Sequence, residues 1–221
     1  MHIIALTASP RGEKSTTKLV VDEVLKGVSK AGGRTSFIDL CQYDIGYCTG
    51  CSSCYISGTC VIDDDYEEIL TRLLDADGII LASPNYINQV TAQMKTFLDR
   101  SADAIHCQRF QGIYGCAIST AGGSGADEVA AYLNRTLILL GGNSVGQVGV
   151  VMADGEEVWK DALQSARILG KELIDAIRVQ KKYPEQETIH HQMHERMKGL
   201  IEMNKDIWKH EFTYWQNKGW L

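Results

Sequence analysis

The sequence lacks the features that mark several classes of protein. It has no excess of basic residues, with 22 Lys and Arg against 28 Asp and Glu, so nothing indicates a nucleic-acid-binding surface. No apolar run approaches the length of a membrane span. The first residues have neither the basic start nor the small-residue cleavage site of a signal peptide. We therefore expect a cytoplasmic protein that binds neither nucleic acid nor membrane.

Two common nucleotide-binding motifs are also missing. The loop after the apolar segment His2–Thr7 lacks the glycine–lysine spacing of a Walker A motif and the G-x-G-x-x-G fingerprint. It is instead rich in hydroxyl groups and leads into an amphipathic helix. Free amides at a helix N-terminus attract anions. Because the G-x-G-x-x-G fingerprint is missing, the loop suits a monophosphate better than a pyrophosphate. Taken alone, such a loop would be better explained as a helix cap in a polar turn. Its hydroxyl groups belong to Ser9, Ser15, Thr16 and Thr17.

Cysteine, by contrast, is plentiful, and four of the 7 cysteines lie in the segment Tyr47–Asp65. Three thiolates at successive two-residue spacings can wrap three corners of a cubane, and a longer loop can supply the fourth ligand. Zinc sites usually separate two cysteine pairs by a dozen or more residues, and disulfides need an oxidising compartment. The spacing therefore favours a [4Fe–4S] cluster. Other metal or redox use of the thiols, and simple reduced thiols, remain alternatives. The four residues are Cys48, Cys51, Cys54 and Cys60.

The remainder of the chain alternates apolar segments with amphipathic ones. Five such alternations predict a doubly wound parallel sheet with its site at the carboxyl ends of the strands. The helices are expected at about 18–31, 63–75, 92–104, 126–140 and 156–179, with the aspartates at 63–65 capping the second of them. Cys116 lies in a strand and is expected to be a small core residue. The predicted strands are His2–Thr7, Arg34–Leu40, Gly78–Ala82, Tyr114–Thr120 and Ser144–Val151.

Two further loops follow predicted strands. The loop Ser83–Thr91 contains an aromatic residue able to stack on a flat ligand, together with several amide donors. The glycine-rich loop Ala121–Gly125 allows close approach of the backbone to such a ligand, although by itself it is only a flexible turn.

Residues 1–180 resemble the flavodoxin-like NAD(P)H-dependent FMN reductase family, most closely its iron–sulfur flavoprotein branch. Ser9–Thr17 is similar to the family's phosphate loop, G-S-P-R-x-x-G-N-T, with serine and threonine where Gly-Asn is common. Ser83–Tyr86 resembles the flavin loop S-P-x-Y, and Lys95 and Asp99-Arg100 match the helix after it. The cysteine motif, followed by Asp63-Asp64, resembles the cluster loop of the branch. Some relatives keep part of that loop without a cluster.

The resemblance implies a sheet order of 2-1-3-4-5 and a role for each loop. It implies that FMN binds with its phosphate on the first loop and that the cluster of one subunit faces the flavin of a neighbour. No catalytic side chain is implied, because hydride transfer to a flavin requires none. The implied phosphate ligands are Ser9, Arg11, Ser15, Thr16 and Thr17; the isoalloxazine would contact Pro84, Asn85, Tyr86 and Ile87, with Thr120, Ala121 and Gly122 near its pyrimidine edge.

The last segment, 181–221, differs in composition from residues 1–180. It holds three of the 4 tryptophans and an apolar stripe that predicts one amphipathic helix leaving the domain. A lone helix cannot bury such a stripe, so we expect an oligomerisation arm docked on a second subunit of a homodimer or homotetramer. Packing against its own domain is the alternative.

These observations predict an FMN- and [4Fe–4S]-containing oxidoreductase. Electrons would pass from NAD(P)H or reduced ferredoxin to a small acceptor such as a quinone. The alternatives are an electron carrier without a substrate of its own, an FMN reductase lacking a cluster, and a redox-sensing binding module. The sequence identifies neither the donor nor the acceptor.

Overall fold

A five-stranded parallel sheet forms the centre of the chain in the computed structural model, which describes residues 1–221. The strand order is β2-β1-β3-β4-β5, so the predicted flavodoxin-like topology is confirmed. All four strand pairings are parallel, and β4 is buried along its whole length, as expected of a strand covered on both faces. The strands are β1 His2–Thr7, β2 Arg34–Asp39, β3 Gly78–Pro84, β4 Tyr114–Ala121 and β5 Asn143–Val151.

Nine α-helices accompany the sheet, and none is both long and apolar enough to cross a membrane. The predicted helix at 92–104 is interrupted at Ser101, whose hydroxyl donates to Phe97 O at 2.9 Å and accepts from Tyr66 at 3.2 Å. The helices are α1 Thr16–Lys30, α2 Ser53–Ser57, α3 Tyr66–Leu74, α4 Ala92–Arg100, α5 Ala102–His106, α6 Ala126–Leu139, α7 Glu156–Val179, α8 Pro184–Met203 and α9 Lys209–Lys218.

The two faces of the sheet carry separate hydrophobic cores. Along β1, Ile4 and Leu6 point towards α3, α4 and α6, whereas Ile3 and Ala5 point towards α1 and α7. Successive side chains of a strand alternate between faces, so an uninterrupted apolar strand supplies both cores. The sheet is thereby fixed from both sides, and its carboxyl edge is left to the loops.

Helices α1 and α7 approach each other unusually closely. A methyl group added at Gly27 would lie 2.0 Å from Arg167 O, and one added at Gly170 would lie 2.0 Å from Val24 O. Only glycine permits this contact between the helix backbones. The contact holds α1, and therefore the loop at its N-terminus, against the domain.

The segment 181–221 folds as two helices rather than the single helix that the apolar stripe predicted. Helix α9 packs against α2, and α8 packs against α6 of the same chain. Trp215 is fully buried and its indole N–H donates to His106 O at 3.1 Å. The side chain of Gln186 accepts from Ser144 N and donates to Ser144 O, both at 2.8 Å. The arm thus packs on its own domain, and its contact with a second subunit stays a prediction.

Candidate functional site

A cleft of about 250 Å³ opens at the carboxyl edge of the sheet, between the ends of β1, β3 and β4. The sheet order leaves a gap here. After β1 the chain forms β2 on one side of β1 and then crosses over to form β3 on its other side, so the loops that follow β1 and β3 separate. The cleft collects ten of the twelve residues predicted to bind FMN, and Ser15 and Ile87 are the two that lie outside it. Its lining is Ser9, Arg11, Thr16, Thr17, Pro84, Asn85, Tyr86, Thr120, Ala121, Gly122 and Met152.

The β1–α1 loop forms the polar end of the cleft. The backbone amides of Thr16 and Thr17, at the start of α1, donate to no acceptor in the chain. Arg11 is exposed and forms no salt bridge, so its charge is available to an anion. The hydroxyl of Thr17 is hydrogen-bonded to that of Thr120 at 2.7 Å, which joins this loop to the end of β4. Free amides, a helix dipole and a free guanidinium together fit a phosphate monoester.

Ser15 lies outside the lining of the cleft, at the N-cap of α1. Its side chain is buried, and its hydroxyl oxygen accepts from Lys18 N at 3.1 Å as the N-cap of α1. A serine at this position stabilises a helix by about 1 kcal/mol. The cap therefore orients α1, while the neighbouring threonines line the cleft.

The β3 loop turns sharply above the cleft. Tyr86 and Gln89 exchange backbone hydrogen bonds of 2.8 and 3.1 Å, and the two residues between them have positive φ. Ile87 has a φ of 51° and is 98% exposed, so it lies on the outer side of the turn rather than in the cleft. A β-branched residue in this conformation is strained, and such strain concentrates at ligand-binding sites. Tyr86, half-exposed beside the cleft, keeps a free ring face.

Hydrogen bonds tie the loops around the cleft to one another. Thr91 donates from its hydroxyl to Ala8 O at 2.8 Å, and Asn85 donates from Nδ2 to Ser124 O at 2.7 Å. Asn85 N also donates to Thr120 O at 2.8 Å. The ends of three strands are therefore held in one arrangement, which is the preorganisation that a planar ligand requires. The Oδ1 atom of Asn85 is buried without a hydrogen-bond partner.

The four clustered cysteines occupy a loop and the short helix α2, near Arg100 at the C-terminal end of α4. The backbone turns through the left-handed region at Gly50, Ser52 and Gly58, with φ values of 66°, 61° and 84°. All four thiols are free, and Gly50 N donates to Cys48 Sγ at 3.5 Å. An amide donating to a thiolate sulfur and a tightly wound backbone are both found around iron–sulfur clusters. The residues present thus fit such a group.

The thiols differ in acidity. Hydrogen bonds with Ser53 and Thr49 lower the pKa of Cys51 to about 7. Burial, reinforced by the charges of Asp103 and Cys60, raises the pKa of Cys54 to about 11. Burial raises the pKa of Cys116 to about 12, which fits the predicted core residue. A bound metal ion deprotonates thiols irrespective of such values, so Cys51 offers a ready ligand and Cys54 one that metal binding would have to ionise.

Two groups from distant segments support the cysteine loop. The guanidinium of Arg100 forms a bidentate ion pair with Asp64, at 2.6 and 3.1 Å. Burial alone would raise the pKa of Asp64, but hydrogen bonds from Arg100 hold it below its ordinary value. On the other side, the ring of Tyr55 lies 4.7 Å from that of His106 and 4.8 Å from that of Trp208 in the arm. The resemblance placed Arg100 on the helix after the flavin loop, and Arg100 does end α4; its contact with the cysteine loop was not predicted.

Beneath α2, the ligand atoms of Asp103, Cys107 and His210 lie within 4.8 Å of one another. Arg109 already contacts the Asp103 carboxylate at 3.4 Å. The fully buried Glu211 accepts from or donates to His106 Nδ1 at 3.0 Å, according to protonation. These contacts join α5 to α9, so the arm forms the inner wall of the cysteine loop.

Sequence reasoning missed Met152 and the contact between Arg100 and Asp64. Met152 lines the cleft from the end of β5, a position that the doubly wound topology allows but no local motif indicates. Asp64 did carry a signal, because it lies in an acidic run directly after the cysteines. That run was interpreted as a helix cap. Asp64 does accept from Tyr66 N at 3.1 Å, but Asp65 makes no capping bond to α3.

Comparison with known proteins agrees with this arrangement. Residues 1–157 match the family described as NADPH-dependent FMN reductase. The chain belongs to that family. It is 34% identical to an iron-sulfur flavoprotein of Archaeoglobus fulgidus over the full length of both chains. It is also 36% identical to an iron-sulfur flavoprotein of Methanocaldococcus jannaschii, over 82% of this chain and all of the relative.

The fold comparison extends to more distant proteins. The NAD(P)H:quinone oxidoreductase of Methanothermobacter marburgensis superposes with a TM-score of 0.63 at 21% identity, covering 78% of this chain and 96% of that one. At this identity the likeness concerns the fold. The two iron-sulfur flavoproteins, by contrast, place the chain in the iron–sulfur flavoprotein branch of the family.

Proposed function

We propose that the protein is an oxidoreductase that binds FMN in the cleft and a [4Fe–4S] cluster on the cysteine loop. The observation that carries this proposal is the convergence around one cleft of the three loops predicted to bind flavin. They are far apart in sequence, and the sheet brings them to a single edge. When bound, FMN supplies hydride and single-electron chemistry, and the protein orients it.

In this proposal the chain's own groups hold the two ends of the cofactor. Arg11 and the amides of Thr16 and Thr17 bind the phosphate. Asn85 and Tyr86 contact one side of the ring system, and the backbone of Thr120–Gly122 contacts its polar edge. The cleft contains no carboxylate and no histidine, so nothing in it is arranged for general acid–base catalysis. This agrees with a reaction that needs positioning rather than proton transfer from a side chain.

The cluster would be held by Cys48, Cys51, Cys54 and Cys60. Support comes from the left-handed turns between them and from the hydrogen bond that Gly50 N donates to Cys48 Sγ. Two relatives that match over most of the chain are also named iron-sulfur flavoproteins. The residues around the loop are supplied by α4, α5 and α9, so the loop rests on three helices although its ligands are local. An FMN reductase without a cluster is the alternative.

We infer that electrons enter from NAD(P)H or reduced ferredoxin and leave to a small acceptor such as a quinone. The family description includes NADPH, and a solved protein of the same fold is a quinone oxidoreductase. The cleft is open beside the half-exposed ring of Tyr86, so a planar molecule can reach a bound ring system. An electron carrier without its own substrate is the competing function.

The first test is the composition of the protein purified without oxygen. We expect one FMN, four iron atoms and four sulfides per chain, measured by chemical analysis and visible spectroscopy. Flavin without iron or sulfide would support the FMN reductase without a cluster. Iron without flavin would contradict the assignment of the cleft.

The second test separates enzyme from carrier. In Cys54→Ser, confirmed to retain FMN, we expect small quinones still to accept electrons directly from the flavin, followed by stopped-flow absorbance. If quinones react with the unaltered protein but not with this variant, electrons leave through the cluster and the carrier function is favoured.

We also propose that the protein is a homo-oligomer and that the arm contributes to the interface. Met203 is 83% exposed and Ile207 is 61% exposed, and both lie where α8 gives way to α9. Exposed apolar groups of this kind mark contact surfaces. Met203→Lys combined with Ile207→Lys should lower the mass measured by light scattering, with Lys205→Ala as the control. An unchanged mass would place the interface elsewhere.

A further inference from the structure

One arginine side chain closes the stem of the cysteine loop. Arg100 Nη1 donates to Gly46 O at 2.9 Å and to Asp64 Oδ2 at 2.6 Å, and Nη2 donates to Asp64 Oδ1 at 3.1 Å. Asp64 Oδ2 in turn accepts from Gly46 N at 2.8 Å. Gly46 lies two residues before Cys48, and Asp64 lies four residues after Cys60. A single guanidinium from α4 therefore joins both ends of the loop.

The ion pair is inaccessible to water. The side chains of Arg100 and Asp64 are 1% and 5% exposed, and the guanidinium lies 4.6 Å from the centre of the Tyr66 ring. A charge in such a place is stable only when it is paired and hydrogen-bonded. The two terminal nitrogens of Arg100, Nη1 and Nη2, are hydrogen-bonded, but Arg100 Nε is buried with no hydrogen-bond partner. An N–H group without a partner in the interior is destabilising, so it calls for an explanation.

Cys60 is the group that the unpaired Nε can serve. Burial alone would lower the pKa of Arg100, but hydrogen bonding to Asp64 and proximity to Cys60 raise it above its ordinary value. The backbone of Cys60 is fixed independently, because Cys60 N donates to Glu67 Oε1 at 2.8 Å. Cys60 thus has a fixed backbone four residues before Asp64, the partner of the guanidinium.

We propose that Arg100 is a positioning residue for the iron–sulfur site: it closes the loop through Gly46 and Asp64 and directs its Nε–H at Cys60 Sγ. This inference rests on the proposed cluster. A donor aimed at a ligating sulfur stabilises the more negative, reduced state of a cluster and raises its reduction potential. Because Asp64 neutralises the charge of Arg100, the directed N–H bond remains as the source of the effect.

The contact can be tested first in the unaltered protein. With arginine labelled by the heavy nitrogen isotope, pulsed electron paramagnetic resonance of the reduced cluster should show a weak coupling to one arginine nitrogen. The coupling should disappear in Arg100→Lys. A cluster that shows no arginine coupling in the unaltered protein would overturn the inference. If no cluster forms at all in the unaltered protein, the proposed function fails instead.

Reduction potentials provide a second test with opposite expected signs. Arg100→Lys keeps a charge for Asp64 but has no Nε, so the potential of the cluster should become more negative. Asp64→Asn leaves the guanidinium charge uncompensated, so the potential should become more positive. Arg72→Lys is the control, since Arg72 lies on α3 and contacts Tyr43 and Glu68 instead of the Arg100–Asp64 pair. Shifts of the same sign in both variants, or no shift in a cluster-loaded Arg100→Lys protein, would contradict the proposal.

Discussion

The cleft draws its lining from the ends of four strands, whereas the four cysteines come from a single stretch, Cys48–Cys60. In the cleft, each residue type is ordinary and only the fold brings the residues together. In the cysteine loop, the ligands are already neighbours in sequence, and the fold supplies their supports. The chain therefore contains one site made by topology and one made by a local motif.

The difference appears in how each site is held. The loops of the cleft bind one another directly, through Thr91, Asn85 and Thr17, above a fully packed sheet. The cysteine loop is exposed at Cys48 and Cys51 and depends on Arg100 and on α9 for its inner side. We expect the cleft to keep its FMN affinity when the cysteine loop is altered. We also expect the cysteine loop to keep its iron when residues of the cleft are altered.

The strongest separation of the two sites should come from the cysteines. Replacing any one of Cys48, Cys51, Cys54 or Cys60 by serine should abolish iron and sulfide binding and the broad visible absorbance of the cluster, while FMN remains bound. Cys116→Ser is the matched control, because Cys116 is buried in β4 away from the loop. Full iron loading of all four variants would refute the ligand assignment. Loss of FMN together with iron would show that the sites are coupled.

A smaller effect is expected from the charge at the polar end of the cleft. Arg11→Ala should weaken FMN binding by about 1.5–3 kcal/mol, roughly 10- to 150-fold, because a charge-assisted bond to the phosphate is lost. The affinity is measured by fluorescence titration of the cofactor-free protein, and iron content should not change. Lys14→Ala tests the specificity, since Lys14 lies in the same loop but does not line the cleft. Equal losses in both variants would mean that general surface charge, and not a contact, attracts the cofactor.

The smallest effect on FMN binding should follow from a change at the close contact between α1 and α7. Gly170→Ala places a methyl group against Val24 O, so α1 must shift and the free energy of unfolding should fall by about 1–3 kcal/mol. FMN affinity should fall only a few-fold, since the shift reaches the phosphate loop through α1. Gly199→Ala is the control, because a methyl group there meets no atom within 4 Å. Chemical denaturation that gives the same midpoint for Gly170→Ala and the unaltered protein would exclude a tight crossing.

Much of this arrangement could be predicted from the sequence, because it depends on local patterns. Uninterrupted apolar segments specified the five strands, and their alternation with helices indicated which loops share an edge. Ten residues of the cleft lining were named through the resemblance of three loops to the family's motifs. Ser15 was named with them, and the sequence did not indicate that its hydroxyl also caps α1.

The contacts that the sequence did not indicate join distant segments. An apolar stripe shows that a helix must pack, but it does not say against what, so the packing of the arm on its own domain could not be predicted; its contact with a second subunit stays a prediction. The structure shows that Trp215 and Glu211 fit the surface formed by α2 and α5. The Arg100–Asp64 pair joins residues that are 36 positions apart, and no spacing rule connects them. Such pairs follow from the complete fold rather than from any window of sequence.

The packing of α9 on α2 sets an order of events in biosynthesis. Helix α2, which carries Cys54, is translated long before Lys209–Lys218, and domains generally begin to fold from the N-terminal side during synthesis. Until α9 has been made, the cysteine loop lacks the packing of α9 against α2, and the ring of Tyr55 stays exposed on the side that Trp208 later covers. The sheet and its cleft need nothing from that helix. A nascent chain can therefore complete its flavin site first, and its cysteine loop reaches its final enclosure only after translation of the arm.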